Sequence, residues 1–150
     1  MRTVIQRVSE ASVLINRQER RSIGRGLMIL VGITHEDTSE DISWLVQKIG
    51  KLRIFADENA VMNLNVNEIN GEVLLISQFT LHASTKKGNR PSYIGAARPE
   101  TAIPLYNEFI QQLQVGIQKP ILTGEFGADM QVQLINDGPV TIIIDSKNKE

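Results

Sequence analysis

The feature that most constrains the fold is the run Gly26–Ile33, which contains no charged or strongly polar side chain. A continuous apolar run of this length, bounded by glycine, is typical of a β-strand covered on both faces, whereas a half-exposed strand alternates apolar and polar residues. The same run is far too short to span a bilayer as a helix. We therefore expect a buried strand here, inside a folded sheet.

Other segments rich in Val and Ile, or alternating in polarity, predict further strands. In chain order they are Thr3–Ser9, Ala11–Asn16, Arg20–Ile23, Arg53–Ala56, Met62–Val66, Glu72–Ile76, Met130–Ile135 and Val140–Asp145. Only Glu10 separates the first two, which are either two strands or one strand with a bulge. Asn70–Gly71 is a hairpin-type turn signal, and Asn136–Pro139 is a dense turn signal. The tail Lys147–Glu150 is predicted to fray.

Two segments have the periodicity of amphipathic helices. The first is Ser39–Lys51, preceded by a capping-box pattern over Thr38–Asp41 in which Asp replaces the usual Glu. The second has Pro99 at its start, a favoured position for proline. Pro104 leaves two alternatives, because proline disrupts a helix interior: the helix begins near Ile103, or its first turns are kinked.

Many sequential strands with two helices predict an α+β fold with a largely antiparallel, curled, barrel-like sheet and two main helices. The 150 residues are expected to form a single domain, 1–150. No cysteine is present, which excludes disulfides and thiolate chemistry. The N-terminus lacks the apolar core of a signal peptide, so we expect a cytoplasmic protein without a membrane partner. A net charge of −1 disfavours binding of long nucleic-acid duplexes, so any nucleic-acid contact must be local and small.

Residues Ser77, Gln78, Phe79 and Thr80, here called the SQFT segment, follow the apolar run Glu72–Ile76 directly. Polar and aromatic side chains at the end of a buried strand are displayed on a rigid support. If the extended conformation continues, Ser77 and Phe79 lie on one face and Gln78 and Thr80 on the other. Two hydroxyls, an amide and a ring suit a small polar ligand with a flat base. The alternative is that Ser77 and Thr80 only close the strand by bonding loop backbone.

Two further motifs have both a structural and a functional interpretation. Lys86, Lys87 and Arg90 lie in the basic loop, residues 86–90, which is either a solvated turn or a contact for nucleic-acid phosphates near the SQFT segment. Gly138–Pro139 is either a plain turn or a special backbone feature, since bonds preceding proline are where cis peptides occur.

A hydrolytic triad is disfavoured. His82 lies close to Thr80 in sequence, but no acid nearby would orient it, and the chain has no G-x-S-x-G elbow. No regular ligand spacing or phosphate-cradling glycine motif is present, so we expect neither metal nor cofactor.

Together these motifs resemble the D-aminoacyl-tRNA deacylase (D-tyrosyl-tRNA deacylase) family over essentially the whole chain. The two most specific are Ser77–Leu81 and Asn136–Thr141. The supporting motifs are Gln6–Val8, Met62–Val66, Gly88–Ser92 and Thr123–Met130. One position departs from the family pattern: Ser84 stands where the family often has an acid.

The resemblance implies a homodimer that hydrolyses the ester joining a D-amino acid, or misattached glycine, to the terminal adenosine of tRNA. It implies that the SQFT segment forms the catalytic site and that the basic loop contacts tRNA. It further implies a cis Gly138–Pro139 peptide that reaches from one subunit into the site of the other and rejects L-amino acids. The adenosine 2′-hydroxyl would help to activate water. An interpretation of Thr80 as a covalent nucleophile is disfavoured, because no base accompanies it.

Two other classes of function remain open from the sequence. One is a nucleic-acid binding module without catalysis, which predicts salt-sensitive tRNA binding and no ester cleavage. The other is a general serine or threonine esterase, which predicts hydrolysis of small activated esters and inactivation by covalent hydroxyl reagents.

Overall fold

The sheet is organised around one long strand that has partners along both edges. In the computed structural model, which describes residues 1–149, this is β1 (Arg2–Ile15). One edge of β1 pairs with β3 (Gly26–Gly32) and then with β2 (Glu19–Ile23). The other edge pairs with β8 (Met130–Asp145) along nearly its full length. All three pairings are antiparallel.

The sheet continues beyond β3 with β6 (Glu72–Ser77) and β7 (Leu122–Thr123), and both added pairings are parallel. Strands β3, β6 and β7 thus follow one another from the first edge of β1, β2 pairs with the rest of that edge, and β8 has the other edge, in a curled and nearly closed arrangement. A small antiparallel pair, β4 (Phe55–Ala56) and β5 (Met62–Leu64), stands apart. The predicted α+β class with a curled sheet is confirmed, although the parallel strands make the sheet mixed.

Two helices cover one face of this sheet. They are α1 (Ser39–Gly50), where the Thr38 N–H donates to the Asp41 carboxylate at 2.9 Å, and α2 (Pro99–Ile117). Helix α2 begins at Pro99 and continues through Pro104, so the alternative start near Ile103 is wrong. The helices and one face of the sheet form the main core, which includes Ile5, Ile29, Leu45, Leu75 and Phe109.

The second core lies on the opposite face of the sheet and includes Val8, Val13, Met28, Leu74 and Ile76. Adjacent residues of β3 therefore contribute to different cores: Leu27 and Ile29 belong to the main one, Met28 to the second. This confirms the prediction of a strand buried on both faces. Helical and sheet packing on opposite sides accounts for the absence of polar alternation in β3.

The structure decides one alternative that the sequence left open and overturns two turn predictions. The segment 3–16 is one strand whose register shifts near Val8, so the bulge alternative holds and the two-strand alternative does not. Asn70–Gly71 precedes β6 but makes no hairpin, because β6 pairs in parallel with β3 rather than with β5. Asn136–Pro139 does not separate two strands; the chain loops out between the pairs Val8–Asn136 and Gln6–Thr141 and remains within β8.

The end of the described chain is bonded to the body of the protein. Lys147 donates to the Asp41 carboxylate at 2.8 Å and to the Glu36 carbonyl at 3.0 Å, so the prediction of a frayed tail is wrong at this residue. Glu150, part of the same predicted tail, lies outside the described residues. Among residues 1–149, no helix has the length and apolar character needed to cross a membrane.

Candidate active site at the end of strand β6

Strand β6 ends at Ser77, and the chain then turns into a 3₁₀ helix over Phe79–His82. The extended conformation does not continue, so the alternation of side chains considered for Ser77–Thr80 does not hold. The Gln78 N–H still donates to the Val31 carbonyl at 2.8 Å, after which the backbone departs from the sheet. Gly32 makes this turn possible, because a Cβ there would lie 2.9 Å from the Leu81 Cβ and 3.0 Å from the Gln78 carbonyl oxygen. The turn lies directly on the neighbouring strand.

A cavity of about 380 Å³ opens at this turn. Ser77, Gln78 and Phe79 form one part of its lining, and residues 126–130 form another. Ala102, from the first turns of α2, also lines it. A mostly apolar concavity with a few polar groups at one end has the character of a small-molecule site.

The polar side chains of the SQFT segment bond each other rather than a base. The Gln78 side-chain amide donates to the Thr80 hydroxyl oxygen at 2.5 Å. His82 lies on the 3₁₀ helix, does not bond Thr80, and has a buried Nε2 without a hydrogen-bond partner in residues 1–149. Thr80 therefore has no adjacent base, and a triad built on it is not formed.

Hydrogen-bond donors at this turn come from backbone N–H groups. The first N–H groups of a helix have no intrahelical acceptor. The N–H groups of Phe79 and Thr80 lie at the start of the 3₁₀ helix and have no acceptor in the part of the chain that the structure describes. Adjacent N–H donors of this kind are suited to stabilising an oxyanion.

Gly138 and Pro139 are exposed and do not line the cavity of their own chain. Their peptide bond is cis. Gly138 has φ 147°, and a Cβ at this position would lie 2.8 Å from the Val140 nitrogen, so only glycine fits without strain. Within one chain, the two motifs of the predicted site are not brought together.

Arg7 anchors residues 136–140, here called the Gly-Pro loop, to the body of the protein by hydrogen bonds. Its guanidinium donates to the Asp137 carbonyl at 2.8 Å and to the Ile54 carbonyl at 2.6 Å, and it lies 3.3 Å from the Asp137 carboxylate. The Asn136 side chain closes the base of the loop by donating to the Val140 carbonyl at 2.9 Å and accepting from the Val140 N–H at 3.0 Å. The loop is a fixed projection from β8.

Sequence reasoning assigned no role to these supporting residues. Arg7 and Asn136 are within motifs that matched the family pattern, as is the segment 126–130, but nothing in the spacing indicates that they contact the loop or line the cavity. Their contacts join residues that are distant in the chain. Their presence in those motifs was the only sign in the sequence that these residues serve the site.

The residues of the basic loop do not line the cavity. Lys86, Lys87 and Arg90 are exposed and form no ion pair within residues 1–149. The backbones of Ser84 and Ser92 bond each other at 2.8 and 2.9 Å and close the base of this excursion. Among the described residues there is no cluster of three or more His, Asp or Glu side chains arranged to hold a metal ion.

Behind β6, Tyr106 of α2 is buried, and its hydroxyl donates to the Leu75 carbonyl at 3.2 Å. Burial raises the pKa of this phenol, and the positive charge of Arg21 offsets only part of the rise. Tyr106 is thus a neutral support for the strand that carries the site.

Comparison with known proteins identifies the family of this chain. Residues 4–145 match the family described as D-Tyr-tRNA(Tyr) deacylase. A D-aminoacyl-tRNA deacylase from Parabacteroides distasonis is 61% identical over 150 residues, covering 100% of both chains. These matches identify a hydrolase that acts on the ester bond of aminoacyl-tRNA. More particularly, the chain belongs to the D-Tyr-tRNA(Tyr) deacylase family.

Two solved structures share the fold. The c-Myc DNA unwinding element binding protein has a TM-score of 0.90 and 42% identity, over 97% of this chain and 98% of that one. A protein described as a probable eukaryotic D-amino acid tRNA deacylase has a TM-score of 0.82 and 17% identity, over 95% and 97% of the two chains. At the latter identity the likeness concerns the fold alone.

Proposed function

We propose that this protein removes D-amino acids, and glycine, from tRNA, and that it rejects L-aminoacyl-tRNA through the Gly-Pro loop of a second subunit. The observation that carries the proposal is the SQFT segment at the mouth of a cavity, in a chain of the deacylase family. The aminoacyl ester and the terminal adenosine would occupy this cavity together, with Ser77 and Gln78 ordering the ester end.

The chemistry asked of the site is modest. Water attacks the ester carbonyl carbon, the bond from that carbon to the ribose oxygen breaks, and the ribose oxygen leaves with a proton. The N–H groups of Phe79 and Thr80, at the start of the 3₁₀ helix, would stabilise the negative charge on the carbonyl oxygen. Positioning supplies much of the remaining acceleration. The 2′-hydroxyl of the adenosine would assist in activating the water, so no side-chain nucleophile is needed.

Selection against L-amino acids is assigned to Gly138 and Pro139. A site that accepts many D side chains cannot fit each one and must instead exclude the L arrangement at Cα. Fixed backbone does this well, because it cannot move aside as a rotamer can. Arg7 and Asn136 hold the loop in place, which supports a rigid filter. Glycine, which has no side chain, would pass it.

A homodimer explains why the filter lies away from the cavity of its own chain. Strand β8 pairs only with β1 among the described residues, so its other edge is free. The same strand has exposed apolar side chains, with Ile143 66% and Ile135 55% exposed. A free edge and exposed apolar groups on the strand that bears Gly138 support a second copy of the chain as the partner.

The direct test is incubation with matched D-, L- and glycyl-tRNA, following release of the amino acid. We expect rapid cleavage of the D and glycyl substrates and little cleavage of the L substrate. Cleavage of small activated esters with inactivation by a hydroxyl-directed reagent would instead indicate a general esterase.

Subunit mixing tests action in trans. One variant carries a disrupted SQFT segment (Gln78→Ala with Phe79→Ala) and an intact filter; the other carries Gly138→Val. In a mixed dimer the only functional cavity belongs to the second variant and faces the intact filter of the first. We expect D selectivity to return on mixing. If mixing restores no selectivity although mixed dimers form, the filter acts within its own chain.

Nucleic-acid binding without cleavage is the second candidate, and the name of the structural neighbour at 42% identity favours it. It predicts salt-sensitive binding of tRNA or DNA and no release of amino acid. The net charge of −1 opposes extended contact with a duplex.

A further inference from the structure

The surface beside the SQFT segment has an exposed pair of aromatic rings. Phe79 and Tyr93 meet edge to face, with ring centroids 5.1 Å apart and an interplanar angle of 73°. Phe79 remains 55% exposed and Tyr93 41% exposed. An edge-to-face pair leaves ring surface open to a further flat partner. We call these two rings the aromatic pair.

The backbone that carries Tyr93 is fixed. Its neighbour Ser92 exchanges two hydrogen bonds with Ser84, and the Tyr93 carbonyl accepts from the Ala96 N–H at 3.0 Å. Ala97, just beyond, donates to the Ile33 carbonyl at 2.8 Å. The ring is thus mounted on anchored backbone, although its side chain faces solvent.

The chain segment that carries both rings of the aromatic pair has charges of one sign. Residues 73–99 contain four cations, Lys86, Lys87, Arg90 and Arg98, and no Asp or Glu, in a chain whose net charge is −1. The three cations of the basic loop have no acidic partner within residues 1–149. A local cationic stretch next to open rings is the combination that binds single-stranded nucleic acid, by stacking bases and contacting phosphates.

We infer that the aromatic pair is a stacking site for the unpaired nucleotide that precedes the terminal adenosine of the substrate tRNA. The inference rests on the proposed function, because it places the adenosine in the cavity at Ser77–Phe79. Phe79 lines that cavity and also contacts Tyr93, so the strand leaving the cavity passes over the pair. The adjoining phosphates then lie toward the basic loop.

The test compares Tyr93→Ala with Tyr93→Phe, which keeps the ring, and with Ile94→Ser. Ile94 is 88% exposed and adjacent but outside the aromatic pair, so it controls for the loss of apolar surface. Each variant is assayed with D-aminoacyl-tRNA and with D-aminoacyl-adenosine, which lacks the preceding nucleotide. We expect Tyr93→Ala to raise the KM for the tRNA about tenfold, with no comparable rise for D-aminoacyl-adenosine. We expect Tyr93→Phe to restore tRNA binding and Ile94→Ser to resemble the unaltered protein.

Equal effects of Tyr93→Ala on both substrates would overturn the inference, since Tyr93 would then act by positioning Phe79. No effect on either substrate, or dissociation of a dimer by Tyr93→Ala alone, would overturn it as well. Equilibrium binding of a three-nucleotide RNA ending in adenosine, compared with adenosine itself, gives a readout independent of turnover. Tyr93→Ala must weaken the trinucleotide selectively, even if the unaltered protein proves to lack deacylase activity.

Discussion

Replacing Arg7 by Gln should remove the hydrogen bonds that join the Gly-Pro loop to the rest of the protein. The guanidinium holds two backbone carbonyls, of Asp137 at 2.8 Å and of Ile54 at 2.6 Å, and only 13% of the side chain is exposed. Hydrogen bonds from a charged group contribute about 1.5–3 kcal/mol each. The nearby Asp137 carboxylate is 46% exposed, so its ion pair adds little. The loss is therefore about 3 kcal/mol when the two bonds are taken at the lower value.

This loss has two measurable consequences. For a chain of this size, about 3 kcal/mol lowers the Tm by roughly 6–12 °C. Because the bond to Asp137 holds the Gly-Pro loop, part of the same free energy is lost from the rejection of L-aminoacyl-tRNA. At about 1.4 kcal/mol per factor of ten, the ratio of kcat/KM for D over L substrates falls by at most about a hundredfold.

Thermal unfolding and deacylation of matched D- and L-aminoacyl-tRNA measure the two effects. Arg53→Gln is the matched control, because Arg53 is exposed and its Nε donates only to the Asn63 carbonyl. Arg7→Lys should be intermediate, since a single ammonium cannot span both carbonyls as the guanidinium fork does. A Tm close to that of Arg53→Gln, or a lower Tm with an unaltered D-to-L ratio, would refute the assignment of Arg7 to the filter.

Three further outcomes are expected. Thr80→Ala should reduce kcat by misplacing Gln78, yet leave turnover well above background; an aminoacyl adduct trapped on Thr80 would contradict this. Neutralising the three cations of the basic loop should raise the KM for aminoacyl-tRNA and make that KM less dependent on salt, with kcat nearly unchanged. If the salt dependence of KM stays the same, the basic loop is a solvated turn that does not contact tRNA. Burial opposes ionisation of Asp145, but hydrogen bonds from the Lys147 N–H and Arg2 outweigh it and lower its pKa. The stabilisation from Asp145 is therefore present above an ordinary aspartate pKa of about 4 and is lost as pH falls below it. The Asp145→Asn variant should have a lower free energy of unfolding at pH 7, and that free energy should fall less steeply with pH in an acid unfolding series.

Local patterns in the sequence determined the elements whose apolar residues recur with the period of a helix or form an unbroken buried run. Helix α1 and the doubly buried strand β3 follow from the spacing of apolar residues, and both agree with the structure. The motifs Ser77–Leu81 and Asn136–Thr141, with the supporting motifs along the chain, predicted the family that the comparison confirms. These signals are legible because each lies within one short stretch of chain.

Tertiary structure decided the features that depend on contacts between distant residues. Strand β6 pairs in parallel with β3 although a turn signal precedes it, because α1 and the β4–β5 pair lie in the connection. The turn residues around Gly138 loop out of β8 instead of ending it, since β1 supplies hydrogen-bond partners on both sides of the loop. Arg7 reaches that loop across 130 positions of sequence. Side-chain spacing indicates which face of an element is apolar. The partner and register of a strand are set by packing between distant parts of the chain, and this packing is visible only in the folded structure.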